Sequence, residues 1–218
     1  MLNKNQKIIN PEKNCLYCPR LINYRKLYKI KEPNWHNAPV PSFGKINAKL
    51  LIVGLAPGLK GANKTGRPFT GDYAGNLLYS SLLKNKLALG IYKAHKNDNL
   101  KLISTRITNS VRCVPPQNKP NSTEKLNCRK FLISEINNMK NLKIILALGK
   151  IAHEEILKVF NLTLNKNKFE HGKVHYIKNN IKLYDSYHCS KYNTQTKRLT
   201  YKMFHDIIDK IKNELKNL

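Results

Sequence analysis

The sequence predicts an α/β fold: a three-layer α/β/α sandwich with a central, mostly parallel sheet. Three observations lead there. Short apolar runs of strand length alternate with stretches whose apolar residues recur at helical spacing. A glycine-rich segment follows the first of those runs directly. The chain has 218 residues, 41% of them hydrophobic, which is long and apolar enough to bury a real core and excludes full disorder.

The elements can be taken in order. Residues 49–53 form a strand that runs into the glycine-rich segment 54–75. A helix is expected over 76–89, with Leu77, Leu78, Leu82 and Leu83 on one face. Residues 103–111 read as a second strand, ending at Cys113 beside the Pro115-Pro116 turn. Ser122-Thr123 followed by Glu124 can cap a helix that runs to about Asn138. Residues 143–148 are a third strand, and Gly149 leads into a helix over 151–160. Segments 174–177 and 181–187 pair around Asn179-Asn180, and 201–215 form a last amphipathic helix. The Lys/Asn-rich stretch 162–168 is the candidate variable loop, and no internal repeat is visible. The expected organisation is a single domain over 1–218, with an N-terminal arm over 1–45.

Charge is the most conspicuous property of the composition. The 40 basic residues against 13 acidic ones give a formal net charge of +27, which invites a polyanionic partner. Yet 33 of the basic residues are Lys and only 7 are Arg, beside 28 Asn, the bias that an AT-rich coding sequence produces by drift. Dedicated readers of phosphate and guanine favour Arg. Charge alone therefore permits nucleic acid without proving it. No apolar run approaches the ~20 residues of a membrane span, and the start of the chain lacks a signal-peptide core. A cytoplasmic protein in a reducing compartment, monomeric and without a membrane partner, is the expectation.

Ligand sites in such sheets lie at the carboxyl ends of the strands. The residues placed there are 54–72, 108–113, Gly149 and 186–190. The loop 58–65 comes close to a phosphate-binding loop, but Asn63 stands where that pattern needs glycine and Gly66-Arg67-Pro68 interrupts the helix start. Both departures argue against a nucleoside triphosphatase. Cys15 and Cys18 form a CxxC pair, Cys113 and Cys128 are 15 residues apart, and Cys189 stands alone. Thiolates at these spacings can hold zinc or an iron–sulfur cluster, which ligand softness does not separate; the alternative is ordinary free thiols of a reducing compartment or a redox CxxC.

A family resemblance rests on long motifs in the right order. Gly54-Leu55-Ala56-Pro57-Gly58, Gly61-Ala62-Asn63 and Thr65-Gly66-Arg67-Pro68-Phe69-Thr70-Gly71-Asp72 resemble the first motif of the type-5 (B-type) uracil-DNA glycosylases. Ser186-Tyr187-His188, Ser190, Asn193-Thr194-Gln195-Thr196 and Arg198-Leu199-Thr200 are similar to the second. Arg112-Cys113, Pro115-Pro116, Asn118-Lys119-Pro120 and Cys128 match a cluster-binding segment, and Cys15, Cys18-Pro19-Arg20-Leu21 and Pro39-Val40-Pro41 match the family's start.

The resemblance implies a DNA-repair glycosylase that hydrolyses the N-glycosidic bond of uracil in DNA and leaves an abasic site. It implies a 4Fe–4S cluster on Cys15, Cys18, Cys113 and Cys128, anchoring loops near the DNA. Excision requires the nucleotide to be flipped into a pocket that stacks on the base, reads its edge and stabilises the leaving anion. In that scheme Phe69 stacks on the base and Asn109 hydrogen-bonds its Watson–Crick edge. His188 donates to the uracil O2, and Asp72 positions water or offsets charge at the sugar. Gly54, Ala56 and Gly58 line the base pocket, and Lys64, Arg67, Ser190, Asn193 and Arg198 face DNA. The segment 189–199, including Lys191, Tyr192, Lys197 and Leu199, is expected at the minor groove.

Several departures bear on mechanism. Leu55-Ala56 are apolar where other branches of the superfamily carry a carboxylate or amide, so leaving-group stabilisation has to supply much of the rate. Gly58 replaces the bulky aromatic of the strictly uracil-specific branch, which implies a wider pocket open to hypoxanthine or xanthine. Lys60 stands in place of a His and Lys64 in place of an Arg. Cys189 stands where the motif has proline, which loosens the turn after His188 and adds a fifth thiol beside the site. The competing reading is a non-catalytic iron–sulfur nucleic-acid-binding protein on the same fold.

Overall fold

The computed structural model describes residues 8–217, so the first seven residues of the expected N-terminal arm lie outside it, as do residue 218 and the side chain of Asn179. The arm contributes one helix, α1 (Pro19–Lys31). There follow β1 (Leu50–Gly54), the single turn α2 (Ala62–Thr65), α3 (Tyr73–Lys84), the short strands β2 (Ala88–Leu89) and β3 (Lys101–Leu102), and β4 (Thr105–Asn109). The second half runs α4 (Ser122–Asn138), β5 (Ile144–Leu148), α5 (Lys150–Val159), β6 (Val174–Tyr176), β7 (Lys182–Ser186), α6 (Lys191–Gln195) and α7 (Tyr201–Lys216).

The central sheet has the order β4-β1-β5-β7-β6. Its first four strands are mutually parallel, and β6 is antiparallel to β7. In register, Gly54 lies opposite Asn109 and Leu148 opposite Ser186, so four strands end along one edge. Alternate residues of each strand supply opposite faces. Leu50, Ile52, Ile144 and Leu146 meet Leu77, Leu78 and Leu82 of α3 and Phe204, Ile207 and Ile211 of α7. Leu51, Val53, Ile145 and Ala147 meet Leu132 and Ile136 of α4 and Ile156 and Leu157 of α5. This is the expected three-layer sandwich.

Element boundaries differ from the sequence reading where single residues override the apolar pattern. Asp72 caps α3 by accepting from the Gly75 N–H at 3.1 Å, so the helix begins at Tyr73 rather than at 76. Lys86, with φ +55°, turns the chain, and Leu89 pairs in β2 instead of extending the helix. Ser104, with φ +49°, splits the expected 103–111 strand, and its carbonyl accepts from Lys49 and Leu50. The cap of α4 is Asn121, one residue earlier than expected. It forms a reciprocal capping box with Glu124, both bonds at 2.8 Å.

A buried carboxylate joins the sheet edge to α4. Glu135 accepts from Arg106 at 2.5 Å and from Arg112 at 2.6 Å, and Arg112 also donates to Ser42 at 2.7 Å. The two arginines hold this carboxyl below its ordinary range although burial opposes its ionisation. Removing one partner would leave a charge in the core, which is costly.

Leu146 lies in the central strand and is fully buried. Leu146→Ala is expected to lower unfolding stability by about 2–5 kcal/mol, read as a shift in urea midpoint at unchanged slope. A change under about 0.5 kcal/mol, the range of surface substitutions, would contradict the assigned core.

Candidate active site

At the carboxyl edge of the sheet lies a cavity of about 380 Å³, within the usual range for small-molecule sites. Phe69, Asp72, Asn109 and His188 all line it, together with Ala56 and Gly58. These residues come from the β1–α3 loop, the end of β4 and the loop after β7, so the parallel sheet assembles what the sequence keeps up to 132 residues apart.

Two glycines make the assembly possible. A Cβ on Gly54 would stand 2.5 Å from both the Phe69 ring and the Asn109 amide oxygen, so glycine lets both side chains cross the end of β1. A Cβ on Gly61 would stand 2.3 Å from Asp72 Oδ2. Asp72 thus has two occupations: one oxygen caps α3 and the other lies against the glycine loop at the cavity wall. Burial raises its carboxyl above the ordinary range, opposed by the N–H groups of Gly75 and Ala74.

Phe69 is 6% exposed and adopts φ +51°, an uncommon conformation for an aromatic residue, held by the loop around it. Its ring centroid lies 6.0 Å from that of His188, with the planes 30° apart, so the two side chains flank common space. Burial alone lowers His188 to about 4, which leaves a neutral imidazole at neutral pH. Its backbone carbonyl accepts from Asn193 Nδ2 at 2.8 Å, and this bond ties the turn that proline would otherwise restrict. Cys189 is fully buried, with Sγ directed to the Ala74 carbonyl at 3.5 Å. The fifth thiol therefore packs into the core and does not line the cavity.

Two expectations about the DNA-facing residues need correction. Arg67 is buried and forks onto Asp98 at 2.6 and 2.7 Å while donating to Thr70 at 2.8 Å. It stiffens the glycine loop and is not available to phosphate. Leu199 is fully buried in the core rather than presented to a groove. Lys64 and Arg198 are exposed, lying over the Trp35 and Tyr187 rings at 5.6 and 4.6 Å, and Ser190 caps α6. The sequence reading missed Tyr73, Lys191 and Asn118 as cavity residues. The signal for Asn118 was the Pro115-Pro116 turn: Gln117 and Asn118 both take left-handed φ, at +55° and +56°, and aim the chain back at the cavity.

A second assembly abuts the first. Cys15, Cys18, Cys113 and Cys128 surround one small cavity with Arg25 and Leu21, and Ala56 packs against this group while also lining the larger cavity. The Arg112 N–H donates to Cys128 Sγ at 3.3 Å and Asn127 Nδ2 to Cys18 Sγ at 3.8 Å, the kind of support that thiolate ligands receive. Burial pushes the Cys113 thiol up to about 12 and Cys128 up to about 11, the reverse of a reactive nucleophile. Among the described residues, no three of these sulfurs lie within 4.8 Å of one another. A single tetrahedral zinc, with Zn–S near ~2.3 Å, would hold four sulfurs closer than that. Four soft thiol donors facing one cavity are able to hold a metal group wider than a single tetrahedral ion.

Comparison with known proteins agrees with this geometry. The family profile "Uracil DNA glycosylase superfamily" matches residues 41–212. The chain is 38% identical over 200 residues to a type-5 uracil-DNA glycosylase of Thermus thermophilus, covering 89% of this chain and 90% of that one. It is 34% identical to a type-5 uracil-DNA glycosylase of Pyrobaculum aerophilum, covering 92% and 88%. A type-4 uracil-DNA glycosylase of the same organism is 35% identical over 74% of this chain and 68% of its own.

The lowered value of His188 has a measurable consequence. The unfolded chain binds a proton at this residue from about pH 6.5 downward, the folded chain only near about 4. Stability must therefore fall as pH drops through that window, and His188→Asn should show a shallower fall between about pH 6.5 and about pH 4. Parallel urea titrations of the two proteins that give equal pH slopes would refute the burial argument.

Proposed function

We propose, since the chain belongs to the uracil DNA glycosylase superfamily, that it excises uracil from DNA by hydrolysing the N-glycosidic bond and leaves an abasic site. The observation that carries this reading is the convergence of Phe69, Asp72, Asn109 and His188 on one cavity at the strand ends. A base that enters there must leave the duplex stack, because the cavity walls on both sides are protein.

Each group has a role that its surroundings permit. Phe69 offers a rigid face for the flipped base, and Asn109 offers an amide that can pair with its edge. His188, neutral because its surroundings withdraw the ring from water, donates a hydrogen bond to the oxygen on which negative charge develops as the bond breaks, an electrostatic contribution that needs no proton transfer. Asp72, as carboxylate, orients the attacking water and offsets the cationic sugar. Leu55 and Ala56 supply no base of their own, so the carboxylate comes from beyond the glycine loop. Lys64, Ser190, Asn193 and Arg198 are the residues proposed to meet the DNA backbone, giving affinity that falls with salt.

The finer reading concerns lesion range. Gly58 leaves the wall beside Asp72 without a side chain; a Cβ there would already stand 3.2 Å from Asp72 Oδ2. We propose that hypoxanthine and xanthine also enter. The four cysteines are proposed to hold a 4Fe–4S cluster that fixes α1 and α4 beside Ala56 and thereby stiffens the cavity wall. No transfer step passes through that group.

An oligonucleotide with one uracil, treated with alkali after incubation, tests the activity. Wild type should cut, with kcat lowered about 10²–10³-fold in His188→Ala and about 10²–10⁴-fold in Asp72→Asn. Binding without cleavage by wild type would make the protein a DNA-binding module instead. The raised carboxyl predicts an acid limb in kcat above the ordinary aspartate range, rate rising with pH as Asp72 ionises, and lost in Asp72→Asn. Confinement of activity to uracil across a lesion panel would refute the wider pocket. The purified protein should contain about four iron and four sulfide per chain, lost together in Cys113→Ala.

A further inference from the structure

Away from the cavity and the four cysteines lies a third constellation that neither uses. His153 of α5, His175 of β6 and Asp185 of β7 meet inside the protein at 1, 6 and 0% exposure. His153 Nδ1 stands 2.7 Å from Asp185 Oδ1, and His175 Nε2 stands 2.9 Å from Asp185 Oδ2. Among the described residues this is the one set of three or more His, Cys, Asp or Glu groups whose ligand atoms all lie within 4.8 Å of each other.

Hydrogen-bond accounting gives the second observation. His153 Nε2 lies 2.8 Å from the Asn167 carbonyl, so both ring nitrogens of His153 face oxygen acceptors. A neutral imidazole has one N–H and can satisfy only one of them. Either a second proton or a cation on Nδ1 resolves the conflict; with a cation there, Nε2–H donates to the Asn167 carbonyl, the arrangement that metal-bound histidines adopt to fix tautomer and ring plane. His175 Nε2 and the Asp185 carboxylate face each other beside it, so a shared ion would take the place of these hydrogen bonds. The imidazoles are tilted at 56° with centroids 5.0 Å apart, so they converge instead of stacking. The Phe169 ring meets His153 edge-on, and a cavity of about 480 Å³ lined by His153, Glu154 and Asn165 opens beside it. That cavity brings solvent to the His153 side of the cluster.

We propose that His153, His175 and Asp185 form a binding site for one divalent transition-metal ion, of which zinc is the type expected from a two-imidazole, one-carboxylate donor set closed by water. Its role is structural. β6 is a three-residue edge strand paired only with β7, and the ion would join it to β7 and α5 at a single point. The same tie runs to the active-site edge: Asp185 lies three residues before His188, and its backbone carbonyl accepts from Gly172, which follows His171, the residue stacked on Tyr187.

The test uses the protein purified with its cysteine-bound group intact, so that those thiols do not compete. After dialysis against a mild chelator it is titrated with zinc by calorimetry, its metal content is measured after gel filtration, and its thermal transition is recorded with and without zinc. The expectation is one zinc per chain beyond the cysteine-bound metal and a higher transition temperature. Affinity should fall at least tenfold in His175→Gln and in Asp185→Asn, the latter retaining side-chain size and a hydrogen-bonding oxygen. Should those variants fold poorly, His153→Gln at the helix position provides the same comparison. Retention of no additional zinc, equal affinity in the variants, or an unshifted transition would each overturn the proposal and leave a hydrogen-bonded His–Asp–His cluster.

Discussion

Everything in this protein depends on one constraint: parallel strands cannot be joined by tight turns, so each must be followed by a crossover. With β4, β1, β5 and β7 all parallel, every crossover begins at the same edge. The loops there must turn sharply and carry polar groups, while the opposite faces are sealed by α3 and α7 on one side and α4 and α5 on the other. Chemistry collects where the fold is least able to be apolar. The cavity is a consequence of strand direction before it is a consequence of any residue.

The residues at that edge serve structure and site together. Asp72 caps a helix through one oxygen and offers the other to the cavity wall. Ala56 separates the cavity from the cysteine group by the width of a methyl. Arg112 continues the linkage: its N–H supports Cys128 and its guanidinium ends on Glu135, the carboxylate that also holds Arg106 of β4. A short run of charged hydrogen bonds thus joins the cysteines to the strand that carries Asn109.

Much of this was legible in the residues themselves. Apolar runs located the strands, and the order of strands and helices gave the sandwich, because periodicity records which faces are buried. The motif residues Phe69, Asp72, Asn109 and His188 do share a cavity. What escaped were features decided by partners distant in sequence. Arg67 reads as a phosphate ligand until Asp98, thirty-one residues on, is seen to occupy it. Leu199 sits in a polar motif yet belongs to the core. Asp185 gives no local sign of its two imidazole neighbours. Helix α1 buries little beyond Leu21 and Arg25, so its periodic signal is faint, and Lys86 and Ser104 broke elements by backbone conformations that their side chains do not advertise.

The fate of the acidic residues gives the large positive charge a different meaning. Glu124, Glu135, Glu155 and Asp185 are buried, and the Asp98 carboxylate is covered, held by Arg67 and by the N–H groups of Lys93 and Leu100. Five of the 13 acids are thus committed to holding the interior together, and those left outside are far outnumbered by the 33 lysines. Lysines on such a surface can be exchanged for asparagine or for one another at little structural cost, whereas each inner acid is tied to a named partner.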